Sequence, residues 1–254
     1  VILRPVAAVS LFLAALGAGV GAEEHVSVAA AANLVFVLDP LNAEFSRENP
    51  GVSLTDTLGA SGSLVSQIEN GAPFDVFLSA DLLYPKRLAK DGGAQGSSLV
   101  VFAIGRLVLW TTRPGLELSS VGSVVRSPSV QRIAIANPST APYGRAAEEA
   151  LSNLGLSEAA RPKLVYGENI SQAAQFVLGG NVDAGFVALS LVLSPKLRDK
   201  GRWLAIPQDD YAPIAQGGVL TLRGAANPAA RKYLQFLATT RARAVFAQYG
   251  YGAP

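Results

Sequence analysis

Four short stretches place small residues and a neutral hydrogen-bonding side chain where a strand gives way to a helix. They are Ala30-Ala31-Ala32-Asn33, Gly59-Ala60-Ser61-Gly62-Ser63, Pro142-Tyr143-Gly144 and Glu168-Asn169-Ile170. A helix start exposes backbone N–H groups that have no acceptor within the helix, and it carries the positive end of the helix dipole. Each stretch can therefore receive an anion, and four converging on one point would make a cage. Taken singly, each also has an ordinary reading, because Ser and Asn at helix starts commonly cap the helix's own donors. The second stretch says more: Gly59 and Gly62 let the backbone turn tightly around a ligand, and Ser63 adds another hydroxyl. It is not a nucleotide-phosphate loop, which would end in Lys-Ser or Lys-Thr, whereas Leu64 and Val65 follow here. In the third stretch Pro142 pre-forms the turn, Tyr143 offers an O–H and an N–H, and Gly144 lets the backbone come close.

Other chemistries find little to work with. The chain has no cysteine and one histidine, His25, which stands near the N-terminus, so neither thiol chemistry nor a Ser-His-Asp arrangement can be placed in a core. Asp75 and Asp81 have no convincing carboxylate partner for acid/base work, Asp209-Asp210 reads as a solvated turn, and Asp183 as a cap or an interstrand contact. No dense set of oxygen ligands suggests a metal cation. Trp110, Trp203, Tyr211 and Phe236 read as core or hinge aromatics, and Arg231, Lys232, Arg241 and Arg243 as a solvated basic face.

The elements that must position the four junctions follow from the apolar runs. Residues 1–22 combine one cation at Arg4, an apolar run from Val6 to Val20 and small residues up to Ala22, the pattern of a secretory signal. A formal net charge of +2 gives no case for a nucleic-acid partner. Strands are expected at Val26–Ala31, Val52–Leu58, Phe74–Asp81, Arg106–Arg113, Arg132–Pro138, Leu164–Tyr166 and Ala184–Leu189, with another in GGVLTLRG. Helices are expected from Leu34 up to a stop at Asn49-Pro50-Gly51, with Pro40 near a first turn or bending the segment, after Ser61, in LYPKRLAK, after Pro142, over Ile170–Leu178 and as a pair near the C-terminus. Strands that feed helices of about ten residues argue for mostly parallel sheets covered on both faces, either one open sheet or two smaller α/β domains.

Several motifs resemble the periplasmic molybdate-binding proteins that feed ABC-type transporters: VAAAANL, GASGSLVSQIENGAPFDVFLSAD, ANPSTAPYGRAAEEAL, PKLVYGENISQAAQFVLGGNVDAGFVALS and RKYLQFLATTRARAVFAQYGYG. The likeness runs over essentially all the chain beyond residue 22. It implies an α/β, two-lobed periplasmic-binding-protein fold of type II, with two mixed or parallel sheets flanked by helices around a central cleft. Residues 23–105 and 219–254 would form one lobe and 106–218 the other. It implies an exported, periplasmic, monomeric receptor with no catalytic activity and no cofactor. Its ligand would be molybdate or tungstate, held without a metal cation or a salt bridge, and its partner a membrane permease. Carried over residue by residue, the resemblance assigns a binding side chain to Asn33, where much of the family has serine, and another to Ser61. It assigns a contact to Tyr143, where many members have alanine, and a backbone N–H contact to Ile170, which is commonly valine. Ala32, Ala60, Gly62, Pro142, Gly144, Asn169 and Ala188 would lie nearby. Ala188 occupies a position where the family often has tyrosine, and the missing phenol is expected to come from Tyr143. A cage of donors alone should favour a large divalent oxyanion over smaller sulfate, and over phosphate, whose proton it could not accept.

Overall fold

The computed structural model describes residues 24–254. The expected secretory signal, residues 1–22, lies outside the described residues. Among the described residues, ten strands are arranged in two sheets: β1 Glu24–Ala31, β2 Val52–Gly59, β3 Val76–Ser79, β4 Val100–Gly105, β5 Leu107–Thr111, β6 Ile133–Ala136, β7 Leu164–Gly167, β8 Ala184–Ala188, β9 Arg202–Ala205 and β10 Ile214–Leu220. The first sheet has the order β2-β1-β3-β10-β4 and the second β7-β6-β8-β5-β9.

The two sheets follow one plan. β1 runs parallel to β2 and β3, as β6 does to β7 and β8. Beside each parallel trio lies a strand that arrives from the other lobe and pairs antiparallel: β10 with β3 and β4, and β5 with β8 and β9. The chain crosses between sheets twice, through Arg106 and through residues 206–213. The sheets are therefore mixed, and the two antiparallel strands are the ones a mostly parallel reading did not anticipate.

Two strands, β4 and β9, have no counterpart among the expected ones, and β10 begins earlier than expected. VVFAIG and LVLWT are both apolar and are separated by Arg106 alone, so the sequence pattern hides a change of sheet between β4 and β5. β10 begins at Ile214, ahead of the GGVL run, because Gln216 is fully buried despite being polar. The expected lobe border between Gly218 and Val219 cuts through this strand, all of which pairs in the first sheet. The single helix expected over Leu34–Gly51 is a 3-10 turn at Ala32–Leu34 followed by a helix at Leu38–Glu48. Pro40 falls in the first turn of that helix, where no intrahelical N–H is required.

Buried side chains cover both faces of the first sheet, Leu41, Phe45 and Tyr233 on one side and Leu64, Phe77 and Leu88 on the other. Each such side chain contributes about 1.5–3 kcal/mol of burial. The cluster of the second lobe, centred on Trp110, Ile135 and Phe186, extends across the cleft to Ala31, Ala32, Ala60 and Ala80. Small residues at these strand ends let the lobes meet closely. Trp110, Tyr211 and Phe236 are buried as expected, whereas Trp203 is 42% exposed on the edge strand β9. Among the described residues, no helix is long and apolar enough to cross a membrane, and no cluster of three or more His, Cys, Asp or Glu could hold a metal ion.

Candidate anion-binding site between the lobes

Asn33, Ser61, Tyr143 and Ile170 line a single small, tight cavity, together with Ala32, Ala60, Pro142 and Asn169. Each of the four follows the C-terminal end of a strand: β1, β2, β6 and β7 in turn. Ligands of open α/β sheets collect at such ends, because the helix starts point there. Two residues of each lobe face one another across the cavity. Ala31, Gly59, Ala80 and Ala141 complete the wall, and Ala80 and Ala141 carried no signal in the sequence beyond their small size.

Three residues expected nearby are not in the wall. Ala188 is fully buried at the end of β8, where it pairs with Leu107. Gly62 donates its N–H to Thr140 O at 2.9 Å, a contact between lobes, and a Cβ on it would fall 2.6 Å from the Tyr84 hydroxyl. Gly144 stands so close to the strand before it that a Cβ would lie 2.2 Å from Ala136 O.

The backbone N–H groups of Asn33, Ser61, Tyr143 and Ile170 sit in first turns and have no protein acceptor among the described residues. The next donors inward are satisfied: Leu64 N by Ala60 O, Gly144 N by Ala141 O, and Gln172 N by the Asn169 side chain at 3.1 Å. Asn169 is thus an ordinary cap. Ser61 Oγ accepts from Ala80 N–H at 3.1 Å, which leaves its own proton for the cavity.

The side chain of Asn33 differs from expectation. Its Nδ2 donates to Gln216 Oε1 and to the Tyr251 hydroxyl, each at 2.8 Å, so both amide hydrogens are committed away from a ligand. Its Oδ1 is buried without a partner. The backbone N–H is thus the one Asn33 donor without a protein acceptor among the described residues. The Tyr143 hydroxyl, likewise buried without a partner, reaches toward the crossing strand: a Cβ on Gly105 would lie 2.2 Å from it. Burial holds its pKa well above the ordinary 10.0, so the phenol keeps its proton.

No lining residue is charged. The nearest ion pair spans the rim, Arg145 Nη2 donating to Asp81 Oδ2, with the guanidinium 5.2 Å from the Tyr84 ring centroid. Tyr84 in turn donates to Ser139 O at 3.1 Å. The other candidates have structural roles. His25 bonds Ser53, Asp75 accepts from Ser27 N and Arg223, and Asp183 joins Gln131 N and Arg132 N to Arg113.

The bacterial extracellular solute-binding protein family matches residues 26–252. The chain belongs to that family. This solute-binding protein is 41% identical over 247 residues to the molybdate-binding protein ModA of Azotobacter vinelandii, covering 96% of this chain and 97% of the relative. It is 41% identical to ModA of Rhodobacter capsulatus over 227 residues, 89% of this chain and 88% of that one. Its fold matches the solved periplasmic molybdate-binding protein of Azotobacter vinelandii with a TM-score of 0.84 and 34% identity, over 90% of this chain and 99% of that chain. The two-lobed α/β fold of solute-binding proteins is thus reached from both the sequence and the coordinates.

Proposed function

We propose that this solute-binding protein captures molybdate, and tungstate of nearly the same size, outside the cytoplasm and hands it to an ABC-type membrane permease, acting as a monomer with no chemical step. The observation that carries the reading is the convergence of four uncharged strand-end residues on one buried cavity whose donors lack protein acceptors. Its relatives named for molybdate binding support the choice of ion.

A buried dianion must find donors for every oxygen, since desolvation without compensation is costly. Backbone N–H groups of Asn33, Ser61, Tyr143 and Ile170 would supply them from both lobes, and the Ser61 hydroxyl would add a further one. Such bonds to a charged acceptor are shorter and stronger than neutral ones. Because the donors come from both lobes, the anion completes its shell only when they meet, so binding shifts the population toward the closed form.

Size separates molybdate from sulfate, whose shorter bonds would leave some donors unfilled. Hydrogenphosphate would compete only if its proton met an acceptor, for which the buried and unpartnered Asn33 Oδ1 is the candidate. The test is calorimetric titration with molybdate, followed by competition with tungstate, sulfate and phosphate. Binding of one molybdate, displaced by tungstate and not by sulfate, is expected. Equal binding of sulfate would overturn the size argument.

A further inference from the structure

Gln216 lies behind the cavity, fully buried on β10, at the point where pairing with β4 slips between Gln216 and Gly217. Its Nε2 donates to Ile214 O at 2.9 Å and, more weakly, to Ala80 O at 3.4 Å. Both are carbonyls, so the amide must turn its NH2 toward them and its Oε1 toward Asn33 Nδ2. That orientation fixes Asn33 in turn, with its second amide hydrogen on Tyr251.

Tyr251 closes the loop by donating to the Asn33 carbonyl at 3.0 Å. The C-terminal segment that carries it is clipped to β4, Ile104 and Gly252 exchanging backbone bonds at 2.9 and 2.8 Å. Asn33 is thereby tied to both strands at the lobe crossings, through Gln216 on β10 and through Tyr251, whose neighbour Gly252 is clipped to β4. From the second lobe, Ser190 Oγ donates to the same Asn33 carbonyl at 3.0 Å. Gln216 also bonds the residue whose N–H holds Ser61 Oγ, and a Cβ on Gly105 would lie 2.9 Å from Gln216 Nε2 and 2.2 Å from the Tyr143 hydroxyl.

We infer that Gln216, with Tyr251, positions Asn33 for the anion: neither lines the cavity, and together they fix the turn that aims the Asn33 backbone N–H into it. The inference rests on the oxyanion-receptor reading. A donor aimed by neighbours that are themselves locked loses no freedom when the ligand arrives, which is how supporting contacts raise affinity.

The test measures molybdate affinity by calorimetry in Gln216→Met, Gln216→Glu and Tyr251→Phe, with a ligand-free thermal melt for each. Gln216→Met keeps the volume and removes all three bonds; Gln216→Glu keeps the shape and sets a carboxylate against two carbonyls. Each is expected to weaken binding about tenfold or more. In an Asn33→Ala background, Gln216→Met should add little further loss, because its effect runs through Asn33. A merely structural role would lower the melting temperature and leave this coupling at zero. Folded variants that bind as the parent does, or losses that are additive with Asn33→Ala, overturn the inference. Should neither Gln216 variant fold, Tyr251→Phe decides: weakened binding supports the inference and unchanged binding overturns it. A parent protein that fails to bind molybdate overturns the receptor reading instead.

Discussion

The wall of the cavity and its rim use opposite chemistry within one helical turn of each other. Tyr143 in the wall is neutral and buried, and Arg145, two residues on, is charged and stands outside it, paired with Asp81. The wall has directional donors and no net charge, which suits recognition by shape and count. The rim has a charge pair between lobes, which suits holding them together without contacting the ion. A cation in the wall would bind many anions tightly and release them slowly; neutral donors keep selectivity and leave release possible.

Substitutions in the wall, or in the backbone that holds it, should cost most. Gly144→Ala places a Cβ 2.2 Å from Ala136 O, so the helix start must move. Molybdate binding should be lost in titration, and stability should fall by about 1–3 kcal/mol, measured by denaturant melts. Ser61→Ala removes one donor and strips the buried Ala80 N–H of its acceptor, so affinity should fall by about 1–3 kcal/mol with some loss of stability. A calorimetric value equal to the parent would remove the Ser61 hydroxyl from the site.

Substitutions at the rim should cost less and leave selectivity alone. Arg145→Leu or Asp81→Asn removes an ion pair whose arginine side chain is 36% exposed, so solvent screening limits the expected loss to about 1 kcal/mol or less. Stopped-flow measurement should place that loss in faster release, and added salt should shrink the difference between parent and variant. A change in the molybdate-to-sulfate ratio would erase the distinction between wall and rim.

The smallest effect should be that of pH. With no charged lining residue and a Tyr143 phenol held protonated by burial, affinity should be flat from about pH 6 to pH 9. Because the folded pKa of Tyr143 is raised, its contribution to stability is complete below the ordinary value of 10.0 and declines above it. A step in molybdate affinity near neutrality would point to a titrating group in the wall.

The four junctions were legible in the sequence because local rules write them: a strand end, a small residue, a cap or a proline, then an apolar helix. What each residue does once there was less legible. Asn33 reads as a ligand side chain until Gln216 and Tyr251 take its amide hydrogens, and these lie 183 and 218 residues away in sequence. No local pattern marks such partners. Gln216 is a polar residue in an apolar strand, so the same feature that hid the start of β10 concealed the support of the cavity. β4 escapes a reading of the pattern for a related reason, since an apolar run that leads straight into β5 reports burial and not which sheet buries it.

The most direct test of the account is the location of molybdenum by anomalous scattering in crystals of the molybdate complex. One ion is expected in this cavity, within hydrogen-bond distance of Ser61 Oγ and of the backbone N of Asn33, Ser61, Tyr143 and Ile170, with Arg145 still on Asp81. Molybdenum bound elsewhere, or Arg145 swung onto the ion, would contradict it.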